Sequence, residues 1–111
     1  MKAYLIDPFD RAIIEVDYSG DFRDIYKICG YDTFTVATFN EQGDGVYVDD
    51  EGLFKKNQRF FTIADYPQPL TGKGLVLGVD AEGNSTAPTV DMTWLENHVR
   101  FVGLTGGYNG S

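Results

Sequence analysis

Apolar residues in this chain recur in short strand-like runs, and only once as a stripe at helical spacing. Ala3–Ile6 is a continuous apolar run and reads as a buried strand. Asp7-Pro8-Phe9-Asp10 is a turn, because proline fixes its own φ and Asp caps neighbouring amides. Ala12, Ile14, Val16 and Tyr18 then alternate with Ile13, Glu15 and Asp17, the period of two expected of a strand with one buried face. Phe22, Ile25, Tyr26 and Cys29 fall at i, i+3, i+4 and i+7, which predicts a two-to-three-turn helix with one apolar stripe. Ser19 is the expected cap, Asp21 and Asp24 suit the positive end of the helix dipole, and Gly30 stands where the chain leaves the helix.

The stretch Thr33–Lys56 predicts two strands joined by an acidic glycine turn, Asn40–Gly45, with a second acidic turn at Asp49–Gly52. Arg59–Ala64 is a further strand. Tyr66–Leu70 holds two prolines, which exclude helix and central strand. Gly72–Val79 reads as an interior strand whose glycines imply bulges or a close backbone approach. Asp80–Pro88 reads as a polar, mobile loop. Asp91–His98 reads as a short helix, with Thr93 and Glu96 at capping-box spacing. Val99–Leu104 is a last strand. The order β-β-α-β-β-β-β-α-β with short connections predicts a single α+β domain over residues 1–104. It should hold a mostly antiparallel sheet, one helix on a sheet face and a short second helix near the C-terminus. The glycine-rich tail 105–111 is expected to be flexible.

Length and composition support this picture. A chain of 111 residues suits one core, and 42% hydrophobic with 23% charged residues is an ordinary globular balance. Eight Phe and seven Tyr favour strands. The net charge of −8 disfavours direct binding to nucleic acid or anionic membranes and suits a partner with a basic surface. The single cysteine, Cys29, rules out an internal disulfide. The N-terminal run is broken by Asp7 and Pro8, so it resembles neither a signal peptide nor a span, and a cytoplasmic location is expected.

Motifs with defined chemistry are matched only in part. Asn40-x-Gln42-x-Asp44-Gly45-x5-Glu51 has the spacing of a calcium EF-hand loop. Its first ligands are amides and its flanks are strands, so a solvated hairpin is the better reading and no metal site is assigned. Gly72-Lys73-Gly74 lacks the partners of a Walker loop, since Pro67 and Gly74 occupy the required positions, and no helix follows it. His98 is the lone histidine, at the end of a short helix where it complements the dipole. Cys29 lies on an apolar stripe and reads as core. No carboxylate pair stands out as a catalytic dyad. No enzymatic constellation and no cofactor follow from the sequence.

The opening KAYLIDP, the helix Phe22–Cys29, the VDDEGL turn at Val48–Leu53 and the run Tyr66–Asp80 together resemble small uncharacterised proteins carried by bacteriophages and mobile elements. That resemblance implies a context, the blocking of host factors such as defence systems or the sequestering of nucleotide signals. It brings no site residues.

Two readings follow. The first is a non-enzymatic interaction protein that meets a basic host surface through Glu41, Asp44, Tyr47, Asp49, Asp50 and Glu51. The alternative is a small-ligand binder, for a nucleotide signal, using Lys55, Arg59, Tyr66 and Lys73 beside the aromatics Phe54, Phe60 and Phe61. An edge strand could also pair with a second copy to form a homodimer.

Overall fold

A computed structural model of the chain describes residues 1–31, 33–52 and 58–102. Leu53, Phe54, Lys55, the connection through Asn57 and the tail 105–111 lie outside the described residues.

The elements run β1 (Lys2–Asp7), β2 (Ala12–Asp17), α1 (Arg23–Cys29), β3 (Phe34–Thr38), β4 (Gly45–Asp49), β5 (Phe60–Ile63), β6 (Leu70–Thr71), β7 (Gly74–Val79), β8 (Ser85–Thr86), α2 (Met92–His98) and β9 (Val99–Val102). The domain is mostly antiparallel sheet with two helices, an α+β arrangement as the sequence predicts. Two strands exceed the predicted order. β6 and β8 are two residues each, too short to show a period, and one follows the proline segment while the other sits in a polar one.

The strands sort into two sheets. The larger has the order β2-β1-β7-β4-β3, with β8 paired to β7, and the smaller has the order β6-β5-β9. Successive side chains of a strand face opposite ways, and here both faces of the larger sheet are covered. On one face Tyr4, Ile6, Val46, Val48 and Val76 pack against Phe61, Ile63 and Leu70 of the small sheet and Leu95 of α2. On the other, Ala3, Leu5, Leu75 and Leu77 pack against Ile25 and Cys29 of α1.

This two-sided burial corrects the reading of β2. Ile13 packs toward the small sheet, while Ile14 is 45% exposed at the sheet edge. Alternation at an edge therefore does not mark one buried face. The helix stripe is corrected likewise: Ile25 and Cys29 are buried, but Phe22 is 56% exposed and stands at the helix start. Ser19 does not cap α1. Its hydroxyl accepts from the Asp21 amide, and its own amide donates to the Asp24 carboxylate, which tightens the approach to the helix. In α2 the cap is Asp91, whose carboxylate accepts from the Trp94 amide at 2.9 Å, so Thr93 lies inside the helix.

The segment expected to be a mobile loop is built into the fold. The Asp80 carboxylate accepts from the amides of Glu82 and Asn84, each at 2.9 Å, closing a tight β7–β8 hairpin. Those bonds hold the Asp80 carboxyl below its ordinary range. The glycines of β7 are sites of close approach. A β-carbon at Gly74 would lie 2.6 Å from Val46 Cγ2 and 2.9 Å from the Phe61 ring, and one at Gly78 would lie 2.7 Å from the Ala87 carbonyl.

Candidate functional site

Strand direction sorts the described turns around the larger sheet between its two ends. One end carries the β3–β4 turn and the β7–β8 turn. The other carries the β1–β2 turn, the C-terminus of α1, the end of β4 and the β6–β7 turn. At this second end an open cavity of about 140 Å³ is lined by residues from five separate segments.

Local chemistry places each of them. The Asp7 carboxylate accepts from the amides of Phe9 and Asp10, which folds the β1–β2 turn and sets the Phe9 ring on the cavity wall. Gly30 takes the left-handed backbone (φ 80) that ends α1, its N–H donating to Tyr26, and so brings Cys29 and Tyr31 to the same wall. Gly72, also left-handed (φ 77), donates its N–H to the Arg59 carbonyl at 2.8 Å and turns Lys73 into the cleft. Asp49 closes β4, its carboxylate accepting from the Glu51 amide at 2.9 Å. Gln58 completes the wall and donates its side-chain N–H to the Gly52 carbonyl.

The deep groups are held neutral. Tyr31 is buried, and its hydroxyl donates to the Tyr47 carbonyl at 2.8 Å. Burial pushes its phenol far above the ordinary range, and the neighbouring Cys29 and Asp49 push the same way. Burial also raises the Cys29 thiol, although the Tyr31 hydroxyl and the Lys73 charge pull it down. Cys29 is therefore a protonated thiol at neutral pH, not an activated nucleophile. His98 lies on α2, its ring stacked on Trp94 at 4.0 Å with Nδ1 2.7 Å from the Trp94 carbonyl, and it does not line the cleft. What the cleft offers is an ammonium, an amide, a carboxylate and an aromatic wall.

The structure separates the residues of the interaction reading. Glu41, Asp50 and Glu51 are exposed, but Glu41 lies at one end of β4 and Asp50–Glu51 at the other. Asp44 faces inward and is 0% exposed. It accepts from the Asn40 amide group at 2.9 Å, from the Thr89 N–H at 3.0 Å, and from the Thr89 hydroxyl through a short bond. Asp49 is 7% exposed. Tyr47 packs its ring on Phe34, with centroids 5.3 Å apart. These six residues are not one acidic surface, because the β4 strand holds its two turns apart. The exposed acids near Glu41 are instead Asp80 and Glu82 of the adjoining turn, which follows Val79 where that residue meets Gly43.

Of the alternative set, Lys73 lines the cleft. Arg59 is exposed, follows the lining residue Gln58 in sequence and donates to the Gln58 carbonyl at 3.2 Å. Tyr66 packs against the core between the sheets, with Phe61 buried beneath, so neither reaches the cleft. Phe60 is half-buried on β5. Lys55 lies outside the described residues. Phe9, Tyr31 and Gln58 were not anticipated. Only the glycines at 30 and 72 signalled locally that the chain turns there.

A family model described as a domain of unknown function, DUF3846, matches residues 1–100. The chain belongs to the DUF3846 family. This DUF3846 domain is also similar to an uncharacterised protein, y4iR, of Sinorhizobium fredii (strain NBRC 101917 / NGR234). The two are 29% identical over 90 residues, covering 79% of this chain and 55% of the relative, so the chain spans about half the length of the curated protein it matches. No solved structure matches the DUF3846 domain described here. Among its described residues no helix is long and apolar enough to cross a membrane. No group of three or more His, Cys, Asp or Glu is placed to hold a metal among those residues either.

Proposed function

We propose that this chain is a non-enzymatic binding protein whose site is the cleft at the end of β4, and that it takes a small, singly charged anionic group. The observation that carries the reading is the convergence of Lys73 and the Gln58 amide on one cavity beside the Phe9 ring. A volume of about 140 Å³ is below the roughly 300–1,000 Å³ of sites that enclose whole small molecules. The cleft therefore receives a head group and leaves the rest of the ligand outside. The Asp49 carboxylate on the wall opposes multiply charged anions. A phosphodiester or carboxylate is thus favoured over a polyphosphate, which narrows the nucleotide-signal alternative to signals bearing phosphodiesters. Lys73→Glu reverses the one cation that lines the cleft among the described residues, and ligand stabilisation should vanish with it. Thermal shift against cyclic nucleotides and small carboxylates tests the idea, because a ligand at 100 times its Kd adds roughly 2.7 kcal/mol. An unshifted melting temperature across that panel would sink it.

A second reading, an acidic protein that binds and inhibits a basic host protein in the cytoplasm, draws on the net charge of −8 and the exposure of Glu41, Asp50 and Glu51. The resemblance to phage and mobile-element proteins supports that context. Charge reversal at Asp50 and Glu51 separates the two readings. It should weaken capture of a basic partner and leave small-ligand binding intact.

A further inference from the structure

The two edges of the larger sheet are unlike. β2 is guarded by charge: Glu15 and Asp17 lie on it, and Glu15 pairs with Lys2 at 4.0 Å. β3 reads Phe34-Thr35-Val36-Ala37-Thr38, with no charge and no proline, and among the described residues it pairs with β4 alone. Uncharged edges of this kind are templates for pairing with another strand.

The hydrogen-bond pattern shows which groups face outward. The Phe39 N–H donates to the Asp44 carbonyl at 3.0 Å, and the register runs on through Ala37↔Val46 and Thr35↔Val48. Antiparallel ladders alternate, so Phe39, Ala37 and Thr35 spend their backbone groups on β4. Phe34, Val36 and Thr38 then turn theirs to the open side. Beside this edge lies an apolar shelf. Val36 is 44% and Phe22 56% exposed, and the rings of Phe22, Tyr26 and Phe34 step from α1 down to β3 with centroids 6.0 and 5.8 Å apart.

We propose that β3 pairs with β3 of a second copy, antiparallel and centred on Val36, to form a two-fold dimer with one continuous sheet. The strand is self-complementary about that centre. Val36 meets Val36 of the second copy, and Phe34 meets Thr38, so all three outward-facing residues find partners. A two-fold axis perpendicular to the sheet keeps both α1 helices on the same face, where the exposed Val36 side chains cover each other. The strand is only five residues long, about 17 Å at roughly 3.4 Å per residue. An interface of this size is of the class under about 1,200 Å², so the dimer is concentration-dependent.

Sedimentation equilibrium tests this directly. The mass should rise from 12.4 kDa toward twice that value as concentration increases. Val36→Pro removes an outward N–H without touching the β4 ladder, so the hairpin stays and the dimer is lost; circular dichroism verifies the fold. Ile14→Lys, on the opposite edge, should leave the dimer unchanged. Val36→Cys should cross-link to its own copy on mild oxidation, because paired Cα atoms at about 5.5 Å are within disulfide reach. A single 12.4 kDa species up to about 1 mM overturns the proposal. So does a dimer that survives Val36→Pro, or a Val36→Cys chain that forms a dimer and does not cross-link.

Discussion

Asp44 is one of the chain's 17 acidic residues, and its position in a glycine turn places it, by pattern, among exposed charges. In the fold it is a buried clasp between the β3–β4 turn and the segment leading to α2. Its carboxylate satisfies the Thr89 N–H and hydroxyl and the Asn40 amide group. Replacing it with Ala removes a fully buried acceptor from three part-buried hydrogen bonds, at roughly 0.5–1.5 kcal/mol each and more for a charged acceptor. Asp44→Ala should therefore lose about 3 kcal/mol of unfolding free energy in urea titration. Asp44→Asn keeps one acceptor oxygen but turns an N–H₂ toward other donors, and should fall between the wild type and Ala. A loss under about 0.5 kcal/mol for Asp44→Ala, the range of surface substitutions, would show that the clasp contributes little. Nothing local in the sequence separates Asp44 from Asp50, because the partner that buries it, Thr89, stands 45 residues away. Tyr31 and Gln58 were unreadable for the same reason: the cavity they line is assembled from distant segments.

The elements were more legible than the residues. The hairpins of β1–β2 and β3–β4, both helices and β5, β7 and β9 follow from period and punctuation. Local pattern did not show that the strands divide between two sheets, and this is what misassigned the faces of β2. β7 carried the one clue. Its glycines imply close approach, and Gly74 is where the Phe61 ring of the small sheet presses on the large one. Gly74→Ala drives a methyl into Val46 and Phe61, both fully buried and in contact across the sheets. Overpacking of this kind costs about 1–3 kcal/mol. Gly83→Ala in the β7–β8 turn meets no atom within 4 Å, but its left-handed backbone (φ +87) strains an L residue. Equilibrium unfolding should rank Gly74→Ala as the more damaging, by a lower denaturant midpoint. The reverse order would mean that the two sheets can slide to admit a methyl group.

For the whole molecule, the groups beneath the cleft couple stability to alkaline pH. Tyr31 and Cys29 are both raised in the folded state, chiefly by burial, from ordinary values of 10.0 and 9.0. The folded protein therefore holds these two protons more tightly than the unfolded chain does. Their contribution is fully present below about pH 9, the lower of the two unfolded values. It is lost progressively as pH rises beyond 9.0 and 10.0 toward the higher folded values. An ionised Tyr31 also has no O–H to donate to the Tyr47 carbonyl, which joins the end of α1 to the middle of β4. Other forces act in the same direction, because lysines lose charge above pH 10 in a chain already at −8 and self-repulsion grows. A bare fall in melting temperature thus does not isolate the buried pair. Tyr31→Phe does. It removes the 2.8 Å bond at a cost of about 1 kcal/mol, so its melting temperature at pH 7 is lower than that of the wild type. It also removes the proton, so its decline between pH 9 and 11 is shallower and the two curves converge. Parallel curves through that range would mean that the Tyr31 phenol does not carry the alkaline loss.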